Sequence, residues 1–154
     1  AAGVFLMLCA GPVFSFGSIS DAVRRRLGAT EAQKQLIATA GNVGLWTNVA
    51  GGLVYDRFGP RPTLLAGALM AGAGYGCMYA ALCARWHPLA AAAAWALVGH
   101  GSGWVYISTL FSNVKNFSPA ERSFVVGTMS CFFGASATVM LALLGGCLGG
   151  HLDS

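Results

Sequence analysis

The stretch GGLVYDRFGPRP, residues 51–62, gathers charged side chains into a short segment between two long apolar runs. Gly59 and the prolines on either side of Arg61 predict a tight turn, because glycine commonly caps the end of a helix and proline commonly opens one. Asp56 and Arg57 then lie at the end of the first helix, and Arg61 lies at the start of the second. The stretch therefore predicts two apolar helices joined by a charged turn.

The composition of the whole chain matches this local picture. Hydrophobic residues make up 56% of the 154 residues and charged residues only 9%, whereas a soluble domain carries roughly a quarter charged residues. The charges divide the chain into uncharged runs at 1–20, 35–55, 62–84, 86–114 and 123–152. Each run reaches about 20 residues, the length that a helix needs to cross the hydrocarbon core. We therefore predict an all-α membrane protein with about five transmembrane helices, spans 1 to 5, at 3–20, 32–55, 63–84, 89–112 and 122–148.

Several other classes of protein do not fit the residue pattern. The net charge is +4, but the basic residues form no stripe interleaved with aromatic residues, so we expect no nucleic-acid partner. There is no Ser/His/Asp set, no pair of carboxylates and no phosphate-binding loop, so we expect no enzyme activity. The cysteines lie in apolar runs without CxxC spacing, which predicts buried, reduced thiols and no metal or cofactor; they are Cys9, Cys77, Cys83, Cys131 and Cys147.

Local signals set the ends of spans 1 and 2. Pro12 removes a backbone donor inside span 1 and predicts a kinked helix. The segment DAVRRRLG, residues 21–28, is interpreted as a polar connector between the two spans. Thr30 followed by Gln33 predicts a capping box at the start of the next helix.

Span 2 has two different faces when its residues are placed at 100° intervals. Small and polar residues share one face, which we expect to pack against other helices because close approach and side-chain hydrogen bonds drive helix association in lipid. That face, the Gly/Asn seam, comprises Gly41, Gly44, Asn48, Gly51, Gly52 and Tyr55. The opposite face, which we expect to contact lipid, carries Val43, Trp46, Ala50 and Leu53.

Gly52, Asp56, Arg57, Gly59 and Arg61 together read G-x-x-x-D-R-x-G-x-R. This pattern resembles the signature loop between helices 2 and 3 of the major facilitator superfamily. The resemblance implies a cytoplasmic turn whose acid and arginines brace helix bundles during alternating access. The five residues would then form a conformational latch and would not bind solute. The alternative is an ordinary positive-inside turn capped by glycine and proline.

A second motif narrows the resemblance. The segment NVKNFSPAERSFVVG, residues 113–127, is similar to the helix 4 to 5 loop of the nodulin-like branch of transporters, through Asn116, Phe117, Arg122 and Gly127. Family members have twelve helices in two pseudo-repeats. The resemblance therefore implies that the chain, 1–154, is part of an N-terminal six-helix bundle in a multi-pass integral membrane protein. Its partners would be the lipid bilayer, a small-molecule solute and the missing C-terminal helices.

Three polar residues inside the spans are candidates for lining a solute cavity. His100 lies in GHGSG, near the middle of span 4, and an ionisable group at membrane depth is a functional candidate by default. Its imidazole would contact solute or a proton, and the alternative is a neutral histidine hydrogen-bonded between helices. Asn42 and Asn48 in span 2 are further candidates, and the alternative for both is hydrogen bonding between helices.

Loop charges do not orient the chain. The side with the turn at 56–61 carries four basic residues, Arg57, Arg61, Lys115 and Arg122, and the other side carries five, Arg24, Arg25, Arg26, Lys34 and Arg85. The cytoplasmic placement of the turn therefore rests on the family motif and not on the positive-inside rule.

Two functions remain open from the sequence. The first is a fragment of a secondary active transporter that moves a small solute across a membrane by alternating access. The second is a non-transporting integral membrane module, or a truncated gene product, that only packs with partner helices.

Overall fold

The structure is a computed structural model that describes residues 2–148, with the side chains of Pro12 and of residues 143–148 outside the described set. The described chain is all-α, as the composition predicts. Its elements are α1 (Ala2–Ala10), a 3₁₀ turn (Pro12–Ser15), α2 (Phe16–Leu27), α3 (Glu31–Trp46), α4 (Val49–Phe58), α5 (Pro60–Ala84), α6 (Pro88–Lys115) and α7 (Arg122–Leu148).

Span 1 is longer than predicted. The interruption at Pro12 is confirmed, because α1 ends at Ala10 and a 3₁₀ turn separates it from α2. The interpretation of 21–28 as a connector is wrong, because α2 continues through the arginines to Leu27 and ends at Gly28, whose φ of 62° closes the helix. Basic residues in the last turn of a helix interact favourably with its negative end, which explains why the arginines do not terminate it.

Span 2 is two helices and not one. The capping box is confirmed, since the Gln33 amide donates to Oγ1 of Thr30 and the Thr30 amide donates to Oε1 of Gln33. The prediction of one continuous helix over 32–55 is wrong, because α3 ends at Trp46 and α4 starts at Val49. At the break, Oγ1 of Thr47 donates to the Val43 carbonyl. Side chains that bond nearby carbonyls compete with the helical ladder, and this pattern was not read from the sequence.

Helix α6 is the centre of the bundle, with its most extensive contacts to α5 and α3. Its buried positions are mostly small, including Ala91, Ala94, Gly99, Gly101 and Ser102. A Cβ on Gly99 would meet the Gly41 carbonyl oxygen of α3, and a Cβ on Gly101 would meet the backbone of Ala71 and Gly67 in α5. Small side chains on α6 therefore allow two neighbouring helices to approach at backbone distance.

Burial agrees with the two predicted faces of span 2 except at Gly52, which is half-buried and where a Cβ would meet nothing within 4 Å. Gly41, Gly44, Gly51 and Tyr55 are buried, whereas Val43, Trp46, Leu53 and Ala50 are exposed. In α5, Gly67 and Gly74 contact α6, whereas Gly72 and Gly76 face open space.

The cysteines contradict the prediction of buried thiols. Cys9, Cys77, Cys83 and Cys131 are free and exposed on the outer surface of the helices. An apolar run does not distinguish a side chain that faces lipid from one that faces another helix, which explains the error. Cys147 lies outside the described side chains.

Three helical segments are long and apolar enough to cross a membrane: Ala2–Leu27, Pro60–Ala84 and Arg122–Ala142. The segment formed by α3 and α4 is not among these membrane-spanning candidates, because the break between them leaves helices of only 16 and 10 residues. Helix α6 has the length, at 28 residues, but its glycines, serines and histidine make it less apolar, as suits a helix surrounded by protein. The arrangement of five spans stays a prediction.

Candidate functional site

The charged turn contains a single residue between two helices. Gly59 has φ 84° and ψ −175°, a backbone conformation that is essentially restricted to glycine. Its amide donates to the Tyr55 carbonyl at 2.9 Å, and its carbonyl accepts from Oγ1 of Thr63, also at 2.9 Å. Both backbone groups of the turn are therefore satisfied by the helices that it joins.

The charged residues of the turn are exposed and unpaired within the part of the chain that the structure describes. Asp56, Arg57 and Arg61 are all exposed, and the ion pairs among residues 2–148 involve none of them. The Arg57 guanidinium lies 5.8 Å from the centre of the Phe58 ring. Gly52 lies on the helix before the turn, and a Cβ there would meet nothing within 4 Å. The turn thus presents one carboxylate and two guanidinium groups to its surroundings.

The 113–122 loop lies at the same end of the bundle as the turn. Nζ of Lys115 lies 4.9 Å from the centre of the Tyr55 ring, which also contacts Phe111 at 5.6 Å between ring centres. A cavity of about 240 Å³ brings Arg61 together with Ser108 and Thr109 of α6. These two side chains are only 1% and 3% exposed, and their hydroxyl oxygens have no partner among the described residues.

The loop motif sits around the start of α7. Asn116 caps the end of α6, and Phe117 is exposed beside it. Ser118 donates to the Glu121 carboxylate through both its hydroxyl and its amide, at 2.7 Å and 3.3 Å. Arg122 begins α7, and Gly127 faces open space one turn further on. The motif residues therefore shape a helix-to-helix loop, and Gly127 lines a cavity of about 450 Å³ whose other lining residues also belong to α7.

His100 connects α3 with α6. Its Nδ1 atom lies 3.2 Å from the Gly44 carbonyl oxygen, and its Nε2 atom lies 3.1 Å from Nε1 of Trp104. A carbonyl oxygen can only accept and an indole N–H can only donate. Nδ1 must therefore carry the proton and donate to Gly44, while Nε2 accepts from Trp104. This is the geometry of a neutral histidine hydrogen-bonded between helices.

A cavity of about 420 Å³ opens at the break between α3 and α4. Its polar wall is formed by Asn48, Tyr106 and Ser130, and the Tyr106 and Ser130 hydroxyl oxygens lie 3.0 Å apart. Its apolar wall includes Phe14, Leu45, Trp46, Ile107 and Phe133. We call this space the break pocket.

The comparisons with known proteins place the chain in a family. The Nodulin-like family model matches residues 1–152. The chain belongs to the Nodulin-like family. A similar curated protein is "Probable transporter MCH1" of Gibberella zeae, which is 30% identical over 77 residues, or 49% of the present chain. The chain spans 13% of the length of that relative. No solved structure matches the chain.

The three cavity candidates occupy three different settings in this Nodulin-like chain. Asn48 lines the break pocket, where its Oδ1 atom is buried and has no partner among the described residues. Asn42 is exposed and lines a separate cavity of about 250 Å³, beside Ser20, Lys34 and Gln35. His100 lines neither cavity. The fold therefore does not assemble them into one site.

Two residues of the break pocket were not predicted from the sequence. Tyr106 of α6 and Ser130 of α7 are not among the cavity candidates predicted from the sequence. A polar residue in each of two predicted spans is a weak signal, because most such residues only bond to neighbouring helices. Their juxtaposition depends on how α7 packs against α6, which residue spacing within one helix does not specify.

Proposed function

We propose that this Nodulin-like chain is part of a secondary active transporter that moves a small solute by alternating access. Family membership, a relative named as a probable transporter and apolar helices of membrane-spanning length support the proposal. The chain would form part of the N-terminal bundle of a major facilitator fold. Helices beyond this chain would complete the transport path.

The break pocket is the proposed solute site, and the unpartnered amide oxygen of Asn48 is the observation that carries the proposal. Transporters commonly bind solute deep in the membrane where a helix is interrupted, because the freed backbone and side-chain groups can then contact a polar substrate. At about 1.5 Å per helical residue, Asn48, Tyr106 and Ser130 lie about 12 to 15 Å from the helix ends at the charged turn. This depth is inside the hydrocarbon core, which is about 30 Å thick.

The residues that line the break pocket indicate the chemical class of the proposed solute. Apolar and aromatic side chains dominate, and the polar groups are one amide and two hydroxyls. No Asp, Glu, Lys or Arg lines the break pocket. The proposed solute is therefore small and mainly apolar, and it carries at least one polar group that can hydrogen-bond with the Asn48 amide or with the Tyr106 and Ser130 hydroxyls.

Uptake by the full-length protein in proteoliposomes tests the proposal. A panel of small anions, sugars and metal chelates, extended by small neutral and aromatic solutes, identifies the substrate. Asn48→Leu is then expected to raise KM about tenfold, which corresponds to about 1.4 kcal/mol of lost binding energy. Ser18→Ala, an exposed hydroxyl of α2, is the matched control and should leave KM unchanged.

Two outcomes contradict the proposal. If the full-length protein transports a solute and Asn48→Leu, Tyr106→Phe and Ser130→Ala all keep its KM, the break pocket is not the solute site. If correctly inserted protein transports no member of the panel, the result favours a membrane module that only packs with other helices.

The proposed latch acts on a different step. Asp56, Arg57 and Arg61 are exposed and unpaired within residues 2–148, so their charges are free to pair with groups beyond this chain. Asp56→Asn is expected to lower the maximal uptake rate and to leave KM unchanged, because the turn lies outside the break pocket. An Asp56→Asn effect confined to KM would contradict the latch assignment.

A further inference from the structure

Three arginines surround one cavity at the end of the bundle opposite to the charged turn. The cavity has a volume of about 310 Å³ and is lined by Ala22, Arg25, Arg26 and Arg85. Arg25 and Arg26 come from the last turn of α2, and Arg85 follows the last residue of α5. We call this space the arginine cavity.

The arginines of the arginine cavity have no acidic partner among the described residues. Neighbouring cations are paired, since Arg24 contacts Glu31 at 3.8 Å and Lys34 contacts Asp21 at 3.2 Å and Glu31 at 2.5 Å. None of the ion pairs among residues 2–148 involves Arg25, Arg26 or Arg85. The three arginines are exposed, so water and salt screen part of their mutual repulsion, and an anion between them removes the rest.

The backbone at Arg85 shows that its side chain is held at a conformational cost. Arg85 has φ 51° and ψ 49°, and it is the non-glycine residue with positive φ in the described chain. Glycine is the common residue at this position after a helix, because a Cβ is unfavourable there. The helix dipole accounts for cations at the end of α2, but it does not explain an arginine in place of glycine at the end of α5.

The position of the arginine cavity identifies the anion. Both helices that form it belong to segments of membrane-spanning length and apolarity, Ala2–Leu27 and Pro60–Ala84. Their ends therefore lie at the membrane boundary, where Trp86, 46% exposed, is a typical interface residue. Lipid phosphates lie at this depth, and guanidinium groups bind phosphate through paired hydrogen bonds.

We infer that the arginine cavity binds the phosphate of an anionic phospholipid headgroup and thereby holds the ends of α2 and α5 together. Basic cavities between transmembrane helices bind such headgroups where they face a leaflet that contains anionic lipid. The inference depends on the membrane placement of the helices and not on which solute the protein transports.

Thermal stability in lipid nanodiscs tests the inference on the full-length protein. The probes are nanodiscs of phosphatidylcholine alone and nanodiscs in which half of the lipid is phosphatidylglycerol. The unsubstituted protein should be more stable in the second, and native mass spectrometry should show retained phosphatidylglycerol. Substituting Arg25, Arg26 and Arg85 together with glutamine should remove both effects, with about a fivefold loss of lipid affinity for each arginine.

Two controls separate the cavity from general surface charge. Arg24→Gln removes a cation of the same helix turn that is paired with Glu31, and Arg122→Gln removes an exposed cation at the other end of the bundle. Both variants should keep the preference for phosphatidylglycerol. Equal loss in these controls would overturn the inference.

Arg85→Gly keeps the test valid if the triple variant fails to fold. Glycine relieves the left-handed backbone, so the variant should be at least as stable as the parent in phosphatidylcholine, while its affinity for phosphatidylglycerol falls about fivefold and its gain in stability from that lipid is smaller. An undiminished gain would overturn the inference. Stabilisation by millimolar inorganic phosphate in phosphatidylcholine, without any preference for phosphatidylglycerol, would also overturn it in favour of a soluble anion.

Discussion

Nδ1 of His100 lies 3.2 Å from the carbonyl oxygen of Gly44 on a different helix. With Trp104 donating to Nε2, both ring nitrogens contact protein groups, and the tautomer with its proton on Nδ1 satisfies both hydrogen bonds. Protonation would place a second N–H against the indole N–H and break the hydrogen bond to Trp104. This geometry favours His100 as a connection between α3 and α6 over His100 as a solute or proton site.

His100→Ala in the full-length protein is expected to lower stability and to leave the pH dependence of uptake unchanged between about pH 5 and 8, the range in which an exposed histidine titrates. Each lost hydrogen bond between membrane helices costs roughly 0.6–1.7 kcal/mol. Trp104→Phe removes the bond to Nε2 and part of the indole packing against Gly51, and it leaves the bond to Gly44. Stability is measured by thermal unfolding in detergent, and a shifted pH profile in His100→Ala would return His100 to the list of transport residues.

Gly99→Ala is expected to destabilise the bundle by roughly 1–3 kcal/mol, because overpacking a close contact forces backbone shifts. Its Cβ would meet the Gly41 carbonyl oxygen, which belongs to backbone and cannot move aside easily. Gly72→Ala in α5 is the matched control, since a Cβ there meets nothing within 4 Å. The control should be neutral or more stable by up to about 1 kcal/mol, from helix propensity. The variants are heated and then compared by size-exclusion chromatography. If both survive heating equally well, the described packing is contradicted.

Gly59→Ala is expected to cost about 1–3 kcal/mol, because the backbone at φ 84° and ψ −175° is unfavourable for any residue with a Cβ. Gly76→Ala, inside α5 and facing open space, provides the comparison and should not destabilise. Both variants are compared by thermal unfolding in one detergent. If Gly59→Ala unfolds at the same temperature as the parent, the turn does not have the described conformation.

Cysteines introduced at the two ends of the bundle should react with a maleimide from opposite sides of the membrane. Asn116→Cys lies beside the charged turn and Ala32→Cys lies in the first turn of α3, at the other end, and both positions are exposed. A membrane-impermeant maleimide added to intact cells should react at Ala32→Cys, and at Asn116→Cys only after permeabilisation, if the turn is cytoplasmic. The opposite pattern would reverse the orientation, and labelling of both from one side would contradict the fold.

Local chemistry made several features predictable from the sequence. Gly59 next to Pro60 marked the turn, Thr30 with Gln33 marked the start of α3, and the seam beginning at Gly41 marked the face that packs. Each of these signals depends on residues within one or two helical turns of each other. They are therefore readable without knowing what the rest of the chain contacts.

The features that could not be predicted depended on contacts between helices or on side chains that compete with the helical hydrogen bonds. Asn48 belonged to the predicted seam, but the break beside it follows from side chains bonding carbonyls at 43–45. The break pocket needs Tyr106 and Ser130 to come within 3.0 Å, across α6 and α7. The outward position of Cys77 depends on which face of α5 meets α6. Periodicity within one helix specifies none of these relationships.

The single-residue turn at Gly59 has a mechanical consequence. Its amide donates within the last turn of α4, and its carbonyl accepts from the first turn of α5, so no flexible segment separates the two helices. Between Glu31 and Phe58 the helical ladder is interrupted at Thr47 and Asn48, so we expect bending of this segment to occur there. Helix α4, about 15 Å long, thus connects the exposed acid and arginine of the charged turn with the interruption beside the break pocket.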